Sequence, residues 1–265
     1  MAGFSDNARR LIVEHEAIEG YMPPMTMPLT AKDSSELRGL NVGDAIGFRL
    51  RISADSSWIT HVERLPDSAV VKHPAAAPSP RYTRRSEKPA LQEGDAVPGF
   101  TLSRDHNGRR VRLSDYEGQA LAMTFVYTRC PLPDYCPLMS KNFAQLQDMI
   151  PAELKSDVEL LSISFDPEHD TPQVLSGYAQ RYTSDLSNWT FATGTQEEVR
   201  QVTGLFGVFT EQAEGQIVHD LRTALIGPNG RVREIWRGND WQPKDVLHAA
   251  ERAVARTDTA DPATR

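Results

Sequence analysis

Ala120-Leu-Ala-Met-Thr-Phe-Val-Tyr-Thr-Arg-Cys130-Pro-Leu-Pro-Asp-Tyr-Cys136-Pro-Leu-Met139 joins an apolar run to a proline-rich loop that holds the chain's two cysteines. The run from Ala120 to Tyr127 reads as a buried strand that ends at Arg129. Pro131, Pro133 and Pro137 delay the helix that follows, and Pro137 suits its first turn. Cys136 is therefore expected near a helix N-terminus, where unpaired backbone N–H groups and the helix dipole favour thiolate over thiol. Thiolate is the form that binds soft metal ions and attacks disulfides. Two thiols at a strand-to-helix junction suggest a metal or redox site. Buried packing and a structural disulfide are the plainer alternatives, although proline-flanked cysteines in a loop are poor core filler.

Outward from this stretch, strand and helix patterns alternate. The spacing predicts a hairpin around Asn107-Gly108, strands over 120–127 and 158–164, and a helix over about 137–149. Further helices are expected to open at Asp170-Thr-Pro172, near 195–204 and over about 243–256, with a hairpin turning at Asn229-Gly230. This order defines an α/β three-layer domain over 91–256, and it puts the cysteines beyond the carboxyl end of a strand, where such folds place function. Residues 257–265 are expected to form a disordered tail.

Residues 67–90 change character: proline and alanine dominate, no periodicity survives, and the segment reads as a semi-rigid linker. Before it, residues 1–66 carry short alternating segments at 10–15, 45–52 and 58–62, separated by Gly, Pro and Asp turns. That pattern predicts a small all-β barrel or sandwich. The chain is thus expected to hold two domains of different class.

At 265 residues, 39% hydrophobic and 25% charged, the composition is that of a soluble globular protein. The net charge of −7 gives no electrostatic reason to expect nucleic acid, and the basic cluster Arg81, Arg84, Arg85 and Lys88 reads as solvated linker. No run approaches the roughly 20 apolar residues of a membrane helix, and the first ten residues lack a signal-peptide core. No nucleophile elbow, phosphate loop or HExxH zinc motif is present.

Three constellations carry chemistry. His219, just before an expected hairpin strand, adds an imidazole to Cys130 and Cys136, a donor set that suits Cu(I). Upstream, His15, Met22, Met25 and Met27 fall within 13 positions and are interleaved with Pro23, Pro24 and Pro28. Thioethers are soft and neutral, so they bind Cu(I) without losing a proton. The third stretch, Ser164-Phe-Asp-Pro-Glu-His-Asp-Thr-Pro172, reads first as a turn with Asp170 in a helix cap, while Asp166 has the chemistry to orient a metal-bound histidine.

From about Pro89 to Ala255 the chain resembles the Sco/SenC family of thioredoxin-like copper proteins, through Phe125 to Cys130, Cys136-Pro-Leu-Met139, Ser164 to Pro172, and His219 eleven residues before Gly230. The resemblance implies a thioredoxin-like fold in which Cys130, Cys136 and His219 bind copper. It also implies delivery of that copper to, or preparation of, the binuclear copper centre of cytochrome c oxidase. One departure stands out: the family spacing is C-x3-C, whereas this chain has C-x5-C. On a continuous helix such a separation turns the two positions by roughly 240°, so Cys130 has to stay in the loop. Where a thiol oxidoreductase has a proline before the position of Thr223, this chain has His219 and Arg222.

Residues from about Leu11 to Arg64 resemble the small periplasmic copper-binding barrels of the CusF-like type, an OB-like fold, through His15, Ile18, Gly20, Met22 to Pro28 and the Gly43-Asp44 turn. The resemblance implies Cu(I) ligands at His15, Met25 and Met27, with Met22 at the position of the family's tryptophan cap. That family has a strand before Leu11, and Sco proteins usually carry a signal or anchor. The first strand is thus expected to be missing, Met1 to be an internal or misassigned start, and any membrane association to depend on a missing N-terminal anchor. The resemblances together imply an envelope or periplasmic copper chaperone whose partner is the copper-bearing oxidase subunit or another copper protein. Thiol:disulfide exchange through Cys130 and Cys136 and simple copper sequestration are the alternatives.

Overall fold

The computed structural model describes residues 3–4, 10–16, 18, 25–53, 56–66, 90–208, 210–213 and 216–258. Residues 67–89 of the expected linker, Met22, and residues 259–265 of the expected tail lie outside this range. The described residues fall into two compact units. The first holds those up to residue 66 with 131–134 and 211–218, and the second holds the rest.

Up to residue 66 the first unit has five strands: β1 (Gly3–Phe4), β2 (Arg10–His15), β3 (Met25–Thr30), β4 (Ile46–Ile52) and β5 (Ser57–Arg64). β2 lies between β1 and β3, antiparallel to both. Its period of two sends Leu11, Val13 and His15 inward, where Val13 stands opposite Met27 and Leu11 opposite Leu29. β4 and β5 form a separate antiparallel pair with a register shift between Gly47 and Arg49. The all-β class agrees with the sequence reading, but the expected barrel is not closed among the described residues. β1 contributes only two residues, and beyond it the first sheet reaches β5 through the single bridge Ala31–Ile59. A short strand does precede Leu11.

The second unit is built on a six-stranded sheet. In chain order its strands and helices are β6 (Thr101–Leu102), β7 (Arg104–Asp105), β8 (Val111–Arg112), β9 (Ala120–Val126), α1 (Cys136–Met149), β10 (Val158–Ser164), α2 (Pro172–Ala179), β11 (Trp189–Thr193) and α3 (Gln196–Leu205). Then come β14 (Arg222–Ile226), β15 (Val232–Arg237) and α4 (Pro243–Asp258), while β12 (Thr210–Ala213) and β13 (Gln216–His219), which pair with each other, fall almost wholly among the 211–218 residues of the first unit. The sheet order is β15-β14-β9-β10-β11-β7, with β9, β10 and β11 parallel and the outer strands antiparallel to their neighbours.

Every residue of β9 is buried, which explains its uninterrupted apolar sequence: a central strand has no face to give to water. α1 and α4 pack on each other and on β9. Phe143 of α1 meets Trp189 at 6.0 Å between ring centroids, and Phe125 of β9 meets Phe206 at 5.8 Å. Burying such rings contributes roughly 1.5–3 kcal/mol each. The Asn107-Gly108 turn is present, with Gly108 at φ 78°, yet the strands around it do not pair as a plain hairpin. β8 pairs with β6 and β7 with β11, because the Asp105 carboxylate accepts from the Asn107 and Arg109 amides and closes the turn locally.

Candidate metal centre

Cys130, Cys136 and His219 converge although 89 positions separate the first from the last (219 − 130). β9 ends at Val126, and the chain turns through Tyr127 to Cys130, whose amide donates to the Tyr127 carbonyl at 3.4 Å. Pro131 and Pro133 keep the next residues out of the helix, and α1 opens at Cys136 itself with Pro137 in its first turn. β14 runs antiparallel to β9 with Thr223 opposite Thr124, so His219, the last residue of β13, lies just before β14 enters the sheet where the cysteine loop leaves it. The two sulfurs and a ring nitrogen all lie within 4.8 Å of one another, and Cys136 Sγ is 3.4 Å from His219 Nε2. Cys130 thus stays in the loop, and the longer C-x5-C spacing still brings the sulfurs together.

The histidine is oriented by its backbone. Nδ1–H donates to the Asp220 carbonyl at 3.0 Å, which turns Nε2 toward the cysteines. Phe165, Tyr127 and Tyr135 surround the imidazole with ring centroids 4.7, 5.6 and 6.0 Å away. They fix the ring's tilt and thin the water around the donors.

The thiols share their protons unequally. Burial opposes ionisation of Cys130, but hydrogen bonds from Cys136 and His219 and the imidazole's charge outweigh it and hold that thiol well below its ordinary range. For Cys136, fully enclosed, burial comes first and the neighbouring Cys130 adds to it, so its thiol is pushed well up. This reverses the expectation that Cys136 is the thiolate. Desolvation and the adjacent sulfur outweigh the helix dipole.

The 164–172 stretch also differs from its sequence reading. Thr171, not Asp170, caps α2, accepting from the Val174 amide at 3.4 Å. Asp170 is 0% exposed and accepts from the Thr128 hydroxyl at 2.6 Å, the Thr128 amide at 3.1 Å and the Ser164 hydroxyl. Asp166 does not orient His219; its carboxylate binds Arg129 Nε at 2.6 Å, next to Cys130. The roles of Thr128, Arg129 and Asp170 were missed because they are pairings between loops some 40 positions apart.

In the first unit, His15 stands opposite Met25 in the β2–β3 register. Met27 is 5% exposed and His15 8%. His15 Nδ1–H donates to the Glu16 carbonyl at 2.6 Å, while its buried Nε2 meets no hydrogen-bond partner among the described residues. Burial pulls the His15 pKa down, against the smaller opposite effect of the Glu16 bond, which favours the neutral ring. An unpartnered lone pair on a neutral imidazole is what a metal ligand requires. Met22 lies outside the described residues, so its placement is not part of this arrangement.

A thioredoxin-like α/β domain with two cysteines and a histidine gathered beyond the end of β9 defines a protein of thiol and metal chemistry. The chain belongs to the SCO1/SenC family, whose profile matches residues 89–255. Residues 4–64 match the profile described as copper binding periplasmic protein CusF. The SCO1 protein homolog of Bacillus subtilis is 32% identical over 155 residues, 57% of this chain and 78% of that protein. The human mitochondrial SCO1 homolog is 34% identical over 147 residues, 53% of this chain but only 47% of that protein. The solved structure of BsSco, described as having a disulfide switch and as a member of the Sco family of cytochrome c oxidase assembly proteins, aligns with TM-score 0.52 and 28% identity. That alignment covers 63% of this chain and 97% of BsSco. Among the described residues, no helix is long and apolar enough to cross a membrane.

Proposed function

We propose that this protein is a copper chaperone of the cell envelope that binds Cu(I) through Cys130, Cys136 and His219 and serves the binuclear copper centre of cytochrome c oxidase. The observation that carries the reading is the convergence of two sulfurs and an oriented imidazole nitrogen within 4.8 Å. Soft thiolates select Cu(I), and the enclosing aromatic rings favour a weakly hydrated ion. The description of BsSco supports the oxidase as acceptor, and the CusF profile supports both copper and a periplasmic setting.

The first unit acts as a second Cu(I) site through His15, Met25 and Met27, with Met22 as a further thioether donor, and passes its ion to the thiol site. The linker holds the two sites at an effective concentration of about millimolar, which makes ligand exchange between them fast. Anaerobic Cu(I) titration tests both: two equivalents bind, Cys130→Ser removes one and Met25→Leu the other. One site surviving both changes would sink the proposal.

A second reading has its own support. A thiol held low beside one pushed high is the nucleophile-and-resolving pair of a thiol:disulfide exchanger, here acting on the acceptor's cysteines. Reduction of an oxidised peptide carrying the acceptor's cysteine motif, lost in Cys130→Ser, is the outcome this reading requires.

A further inference from the structure

Cys136 is placed by α1, but Cys130 lies six residues earlier in a loop that the prolines keep non-helical, so something other than the helix has to place it. Two carboxylates from the loop after β10 reach the cysteine loop. Asp170, without solvent exposure, accepts both the amide and the hydroxyl of Thr128, two residues before Cys130, and also the Ser164 hydroxyl at the end of β10. Asp166 holds Arg129, the residue immediately before Cys130. Asp170 is in turn fixed by its own amide, which donates to the Asp166 carbonyl at 2.8 Å. The β9–β10 ladder runs up to this point, with Ser164 paired to Val126 and the Phe165 amide donating to the Val126 carbonyl at 3.1 Å. The clasp therefore rests on the paired ends of two central strands.

We infer that Asp170, acting through Thr128, is the positioning residue for Cys130, and that this clasp is what lets the longer loop present its sulfur to Cys136 and His219. Asp170 has no hydrogen bond to either sulfur or to the imidazole ring, but its charge adds to the rise of the Cys136 thiol, so the Thr128 variants, which keep that charge, are the ones that read where Cys130 stands. A buried charged acceptor with three donors is costly to leave unmatched, so the Thr128 pairing holds the loop in one place. The inference rests on the copper reading above for one of its two consequences only. The other, the readiness of Cys130 and Cys136 to join as a disulfide, is independent of metal.

The test uses the full chain and compares Thr128→Val, which keeps shape but removes the hydroxyl donor, with Thr128→Ser, which restores it, and with Asp170→Asn. The first measurement is equilibrium with a glutathione buffer. Two protein thiols and one oxidised glutathione give one protein disulfide and two reduced glutathiones, so the equilibrium constant reads the effective concentration of one sulfur at the other. The second is anaerobic competition for Cu(I) against a chromophoric chelator. Thr128→Val is expected to lower both constants by about tenfold, the lower end of the range for lost outer-shell partners, and Thr128→Ser to recover them. Asp170→Asn is expected to lower both at least as far, and if that variant does not fold, the threonine pair decides alone. Unchanged constants in Thr128→Val overturn the inference. A wild-type protein that binds no Cu(I) but shows the disulfide effect overturns the copper reading and leaves the clasp standing.

Discussion

In the second unit Cys130, Cys136 and His219 come from a loop, the first residue of a helix and the last residue of β13, whereas in the first unit His15, Met25 and Met27 occupy two adjacent strands. The first arrangement exists only once the whole sheet is assembled, since β9, α1 and β14 each supply one wall. The second needs only the β2–β3 register. The chemistry differs in the same direction. A thiol has to shed a proton to become a good ligand, while a thioether has none to shed and a neutral imidazole is already prepared. The two donor sets therefore differ in how they answer to protons: the thiols have to lose them before they ligate well, and the thioethers have none to lose.

The largest expected effect separates the two regions by ligand. Cys136→Ser should lower Cu(I) affinity of the second unit by more than the about 10–100-fold that loss of an outer-shell partner costs, with binding through the methionines unchanged. Competition titrations with a Cu(I) chelator report both; equal losses at the two sites would collapse the distinction. The next effect is protonic. Cys136 has its thiol pushed up, so metal binding must expel its proton, whereas Cys130 is held below its ordinary range and ionises more readily. Affinity at the thiol site should thus rise with pH through neutrality, by about tenfold per pH unit for each proton released, while the methionine site stays flat over the same window. Parallel slopes at the two sites would show that the thiols are not the ligands.

Met27→Leu sharpens the comparison from the other side. The residue is buried, and a volume-conserving exchange there should cost less than about 1.5 kcal/mol of stability while abolishing the first-unit site. Thermal melting paired with copper stoichiometry checks both halves. The smallest effect concerns the copper-free first unit. The His15 pKa is lowered in the fold, so the unfolded chain binds the proton more readily. Its contribution is complete above about pH 6.5 and is lost as pH falls below that, with a slope of at most about 1.4 kcal/mol per pH unit. Hydrogen-exchange protection of the β2 amides should decline between pH 7.5 and 5.5 and should stop doing so in His15→Gln.

Much of the second unit was legible because local signals agree with the fold. Val158–Ser164 is apolar because β10 is central, Pro137 and Pro172 mark true helix starts, and the Asn229-Gly230 turn separates β14 from β15. His219 was found from its distance to that turn. What failed was what depends on distant partners. Asp170 sits in Asp-Thr-Pro, a sequence that signals a helix cap, yet Thr171 takes the cap and Asp170 bonds to Thr128, 42 positions back. The dipole argument for Cys136 used only its place on α1, and the complete enclosure that reverses it comes from the assembled core. In the first unit the alternating pattern of 10–15 gave β2 and its inward face, but barrel closure depends on edge pairings that short-range periodicity does not encode.

The antiparallel match of Thr223 with Thr124 makes the centre a vice with one fixed jaw. His219 stands three residues before β14, a strand held in the sheet between β9 and β15, and its Nδ1 is tied to the Asp220 carbonyl. Cys130 is the second jaw, set from behind by the pairings of Thr128 and Arg129, and the residues between the two cysteines loop out between it and Cys136. The length of the chain between the two cysteines is thus set by a loop and not by the hydrophobic framework beneath it.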